Sequence, residues 1–224
     1  MTCEQVIAEL KKLGNERNVK TFKKHGAGDN YYGVSFGNLG KLKKKIKTDH
    51  ELALELWESG NIDARILATM IADPDECTAS VVDRWTNETT FHLLVDYIAG
   101  LAARTPFAVK QMEKWMKSRE EYVRQCAYAT LAAGLRDGLD VTDDDCRRYL
   151  ETIEKEIHGS ANRAKYAMNI ALISIGIYRP ALIEAAVDAA KRIGKVDVDH
   201  GDTSCKTPDA VPYIEKALKR RERR

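Results

Sequence analysis

The chain has 224 residues, 44% of them hydrophobic and 31% charged, and a formal net charge of +2. This composition buries a core and excludes a disordered or collagen-like chain, while 14 glycines and 5 prolines are few for the turns of a sandwich or barrel. No apolar run reaches the about 18–20 residues of a membrane span, and the first residues lack the apolar block of a secretion signal, so the expected location is cytoplasmic.

Residues 1–47 read as basic N-terminal helices, ending in Lys41-Leu-Lys-Lys-Lys-Ile-Lys47 with Leu39, Leu42 and Ile46 as an apolar stripe. From there to residue 194 the pattern has helical period nearly throughout. Thr48 or Asp49 caps the segment 49–57, Gly60 stops it, and Ile62–Ala72 follows with Ile62, Ile66, Leu67, Met70 and Ile71 on one face. Asp73-Pro74 restarts the chain, since proline suits a first helical turn. Helices are then expected at 75–86, 89–103, 106–117, 120–135, 142–157, 161–177, 180–194 and 209–220. Their connections are short, which sets consecutive helices antiparallel. Residues 195–224 read as a loop and a basic C-terminal helix, with no strand.

The helices pair with a period of roughly 30–40 residues. Three second helices place an arginine near their first turn: Arg65, Arg124 and Arg163. The expected fold is therefore all-α, a HEAT-like helical-repeat solenoid. It forms a single C-shaped domain over 1–224, with second helices lining a concave basic groove. A compact helical bundle is the structural alternative.

Charge is segregated along the chain. Residues 1–47 carry net +7, residues 48–103 net −9, and six of the last nine residues are basic. A basic face concentrates polyanions; solvated helix surfaces account for the same pattern. The five cysteines are scattered without a CxxC, so free thiols are expected rather than disulfides or zinc. Asp197, Asp199, His200, Asp202 and Cys205 lie close together, but the mixed donors and the spacing suit no metal. A loop pinned by Asx and hydroxyl hydrogen bonds is expected there, with no metal and no cofactor. No phosphate-loop, dinucleotide, zincin or serine-hydrolase motif is present.

Asp96 stands in the apolar run Phe91-His-Leu-Leu-Val-Asp-Tyr-Ile-Ala-Gly100. A carboxylate there needs either a ladder partner such as Arg65 or Arg124, or exposure on the groove floor. His92 precedes it by one turn, on the same expected face, and Tyr97 adjoins it on another. Arg124 can pair with Asp96 or hold a phosphate. Lys43, Lys44 and Lys45 are candidate phosphate contacts.

The segment from Tyr31 to Lys44, Leu54-Glu-Leu-Trp57, Ala64-Arg-Ile-Leu-Ala and the tail from Ile193 to Ala210 resemble the AlkD-like DNA alkylation repair family. The resemblance covers roughly residues 20–220. It implies a HEAT-like fold that embraces duplex DNA, alkylated or not; a monomer is expected. It also implies a glycosylase for positively charged purines such as 3-methyladenine or 7-methylguanine. On this resemblance Asp96 and Arg124 are the catalytic pair. His92, next to Phe91, takes the place of one family tryptophan, and Tyr166 or Asn169 lies where the other would stand; Arg163 and the lysines contact DNA. A non-catalytic binder of unusual DNA structures is the alternative within the same family, and a protein-binding solenoid using the acidic 48–103 surface is a third reading.

Overall fold

Side-chain caps set where the helices begin. The computed structural model describes residues 1–221; Arg223 and Arg224, two of the cations in the basic terminus, lie outside the described residues. Thr2 opens α1 (Cys3–Leu13), Asn15 opens α2 (Glu16–Lys24) and Ser35 opens α3 (Phe36–Ile46), each accepting a backbone N–H three residues on. Asp49, not Thr48, caps α4 (His50–Glu58), and Asn61 caps α5 (Ile62–Ile71). The helix expected from residue 75 starts later, as α6 (Ala79–Asn87). There the Thr78 hydroxyl accepts the Val81 N–H, while Asp73 ties off a turn at Asp75. α7 (His92–Ala102), α8 (Ala108–Met116), α9 (Glu121–Asp137), α10 (Asp143–Glu156), α11 (Asn162–Tyr178), α12 (Ile183–Ile193) and α13 (Ala210–Arg221) complete the chain. No strand forms among the described residues; a lone bridge joins Gly14 and Val34.

The described residues group into two compact units, Met1–Pro106 with Gly201–Thr203, and Phe107–His200 with the segment from Ser204 onward. In the first, α4 pairs with α5, α6 pairs with α7, and the second helices α5 and α7 stack on each other. In the second, α8 pairs with α9, α10 packs on α11, α9 stacks on α11, and α12 and α13 close on α11. This is the helix-pair repeat that the sequence pattern calls for. Trp57, Trp85 and Trp115 recur near the ends of α4, α6 and α8, and all three are fully buried. Trp57 and Trp85 stack face to face at 4.3 Å with 5° between their planes.

The loop before α3 is fixed to the start of α5. The buried Asp63 carboxylate accepts N–H groups from Tyr32 (2.6 Å), Gly33 (3.1 Å) and Val34 (2.8 Å). The Asn61 amide donates to the Asn30 side chain, and the Ile62 N–H donates to the Asn30 carbonyl. Gly33 is required at this clasp: its φ is +75°, and a Cβ would lie 2.6 Å from the Val19 nitrogen. Burial raises the Asp63 pKa above the ordinary carboxylate value, although the three N–H groups pull it down.

No single described helix is long and apolar enough to cross a membrane; α11 with α12 has the composition, but the chain bends by 117° between them and most of α11 is core.

Asp63→Ala should cost about 3 kcal/mol or more in urea unfolding, because three buried N–H groups lose their acceptor. Asp63→Asn, which keeps one oxygen, should cost less. A loss below about 1 kcal/mol for the alanine variant would show that water or repacking replaces the carboxylate.

Candidate nucleic-acid interface

In the first unit, α3 buries Leu39 and Leu42 toward α5 and leaves Lys41, Lys43, Lys44, Lys45 and Lys47 exposed. The stripe and the cationic face fall where the sequence sets them. The helix ends on a feature the sequence does not announce. Lys47 sits at φ 69°, ψ −141°, almost the same backbone as Gly194 at the end of α12. That region favours glycine, so a lysine there costs of order 1–3 kcal/mol.

Asp96 is exposed. The buried residues of α7 are His92, Leu94, Val95, Ile98, Ala99, Leu101 and Ala102, and Asp96 falls in the gap that leads on to Gly100. Of the ladder role and exposure, Asp96 shows exposure, while Arg65 and Arg124 pair with Glu88 and Glu156. Asp96 lines a shallow hollow of about 190 Å³ with Lys43, Thr69, Tyr97 and Arg104. Tyr97, expected on another face, borders the same hollow and packs its ring on Phe36 at 5.5 Å, with Phe36 42% exposed. Burial and the neighbouring Asp96 charge raise the Tyr97 pKa. Arg104, which no sequence pattern ties to Asp96, lies in the turn just past the end of α7.

His92 and Phe91 turn inward instead. Phe91 is core, packed on Phe22 at 5.6 Å, because the chain entering α7 must cover the α2 aromatic. His92 is 9% exposed and lies against His25 at 5.2 Å. Both rings, expected as DNA contacts, are buried among the described residues.

In the second unit, Arg124 bonds Glu156 at the end of α10 and lies over the Tyr128 ring at 6.0 Å. Burial opposes its charge, yet the bonds to Glu156 and Tyr128 raise its pKa above the usual guanidinium value. Arg65 does the same work in the first unit: it donates to the Trp57 carbonyl, faces the Trp57 ring at 4.7 Å and reaches Glu88 at 3.7 Å. Both arginines thus tie a second helix to the next first helix. Arg124 also borders a cleft of about 600 Å³ with Lys117, Arg119, Arg148 and Tyr149.

Arg163 is half-buried, and its N–H donates to Glu121. Tyr166 is half-buried and meets His200 edge-on at 5.7 Å. Asn169 is 3% exposed and donates to the Pro208 carbonyl at 2.9 Å, so it holds the C-terminal loop. The same loop is tied by Asn162 to the Asp199 backbone and by His200 to Thr207. This is the pinned loop the sequence implies.

Known proteins match this architecture along nearly the whole chain. The family model described as DNA alkylation repair enzyme matches residues 6–214. An uncharacterized protein of Listeria innocua is 34% identical over 98% of this chain and 99% of its own. One of Listeria monocytogenes is 32% identical over the same shares. A solved structure superposes with a TM-score of 0.91 at 33% identity, covering 98% of this chain and 95% of the other. It is described as a new family of proteins related to the HEAT-like repeat DNA glycosylases with affinity for branched DNA structures.

Two substitutions separate structure from binding. Lys47→Gly should stabilise the protein by about 1 kcal/mol in thermal unfolding, by relieving the strained backbone, and should weaken binding of a polyanion such as heparin. Arg124→Met should lower stability by about 2 kcal/mol, the scale of a hydrogen bond to a charged group, with polyanion affinity nearly unchanged. A polyanion defect in Arg124→Met at unchanged stability would reverse the roles assigned to the two cations.

Proposed function

The chain belongs to the DNA alkylation repair enzyme family, and from that premise we propose that it binds DNA through its phosphates and favours branched over plain duplex DNA. One observation carries the reading: α3 and its C-cap leave five lysines exposed around the faces that Leu39 and Leu42 do not bury, the last of them at a backbone position that suits glycine. Strain kept at a cation is accounted for when the cation is needed. The affinity for branched DNA described for the solved relative, 33% identical over 98% of this chain, supports the choice of DNA form. Contacts to phosphate carry no base code, so recognition follows the path of the backbone.

A second reading is favoured by the exposure of Asp96 beside Tyr97, Phe36 and two cations. On that reading the protein excises cationic alkylpurines such as 3-methyladenine or 7-methylguanine. A methylated purine is already a good leaving group, and the barrier lies in the positive charge that builds on the sugar. The Asp96 carboxylate stabilises that charge and orients water. Lys43 and Arg104 flank the carboxylate and hold phosphates, since the Arg124 guanidinium is held by Glu156.

Binding is tested by anisotropy of a labelled duplex and a four-way junction across a salt series. Affinity should fall steeply with salt, and changing Lys43, Lys44 and Lys45 to Glu should weaken both complexes about tenfold or more. Unchanged affinity would remove α3 from the interface. Release of methylated bases from alkylated DNA tests excision, and Asp96→Asn should cost about 2–4 kcal/mol of transition-state stabilisation without weakening binding. Release that survives the substitution would remove Asp96 from the chemistry.

A further inference from the structure

α13 buries Ala210 and Ile214 as it packs on α11. Gly176 makes the seat: a Cβ there would lie 2.7 Å from the Ile214 Cδ1. With that face covered, Tyr213, Lys216, Ala217 and Arg220 follow one another at helical spacing along the adjoining side. Together with Tyr178 at the end of α11 they enclose a cleft of about 520 Å³. Among the described residues no carboxylate lines it. Arg221 is already committed, donating to the Ile177 carbonyl and lying over the Tyr178 ring at 5.4 Å. Lys216 and Arg220 are exposed, and Tyr213, at 53%, is the most open of the three exposed large hydrophobic side chains among the described residues.

A bare aromatic ring flanked by cations, with no acid among the described lining residues, matches a flat base joined to phosphates. We propose that this cleft takes an unpaired nucleotide of DNA, with the base stacked on Tyr213 and the adjoining phosphates held by Lys216 and Arg220. Within a duplex, both faces of a base are covered by its neighbours. A single-stranded tail or an opened branch point offers a free face. The cleft therefore reads the one feature that separates such DNA from a plain duplex. It rests on the DNA-binding reading above and supplies the element that makes the choice of DNA form.

The experiment compares the full chain with Tyr213→Ala, Tyr213→Phe and the double variant Lys216→Ala/Arg220→Ala. The probes are a blunt duplex, the same duplex with an oligothymidine tail carrying 2-aminopurine, and the tail strand alone. The wild type should bind the tailed duplex about tenfold tighter than the blunt one and quench the 2-aminopurine by stacking. Tyr213→Ala should lose both effects with melting temperature and blunt-duplex affinity unchanged, and Tyr213→Phe should keep them. The double variant should lose about two from the salt slope on tailed DNA. Tail preference or quenching that survives in Tyr213→Ala overturns the proposal. A wild type that binds blunt duplex but neither prefers nor quenches the tail also overturns it, and leaves the α3 reading standing. Quenching of the tail strand without any duplex binding supports the cleft and sinks the α3 reading; neither signal sinks both.

Discussion

The Asp63 carboxylate, sealed from water at the start of α5, answers its charge with the N–H groups of three consecutive residues, and the first unit is organised around that bond set. It fixes the chain from Tyr32 to Val34, and Ser35 then opens α3 one residue later. The direction in which α3 leaves, and hence the side on which its lysines stand, follows from a clasp made more than a turn away. Asn61 and Ile62 add to the same joint through Asn30. A charged group inside a protein costs several kcal/mol unless it is fully answered. Here the N–H groups that answer it would themselves be orphans in a buried loop, so each side removes the other's penalty.

The second organising contact is the tie between successive helix pairs. Arg65 meets Glu88, and Arg124 meets Glu156, each in company with a buried ring. These bonds join a second helix to the end of the following first helix. The Trp57–Trp85 stack lies beside the first of them, and Trp57 donates its indole N–H to the same Glu88 carboxylate at 2.7 Å. Apolar stacking supplies the bulk of the attraction between pairs, and the ion pair sets the register at which they meet.

The helices were legible from caps and periodicity because both act within one turn of chain. Asp49, Asn61, Thr142 and the α3 stripe stand where local chemistry puts them. The start of α6 was misread because proline tolerates a first turn without demanding one, and Thr78 offers the better cap. The site was only partly legible. Asp96 drew notice as a charge in an apolar run, yet the gap it occupies in the α7 pattern already marks it as surface. His92 and Phe91 could not be placed, since their burial depends on α2, some 70 residues earlier in the chain. Asn169 and Arg124 likewise take their roles from partners more than 30 residues away. Lys47 carries no sequence signal at all, because its strain is a property of backbone angles.

The Arg–Glu ties also limit how far this chain behaves as a string of interchangeable modules. Glu88 stands three residues after Trp85, and the same place after Trp115 is Ser118. Excising α6 and α7 as one cassette would bring Ser118 toward Arg65 and leave the arginine without its carboxylate. Duplicating the cassette would put Glu88 after α7, which has Val95 where α5 has Arg65. The pair α4/α5 is matched to its own successor rather than to a consensus, so recombination that preserves length and helix boundaries still strands a charge at Arg65.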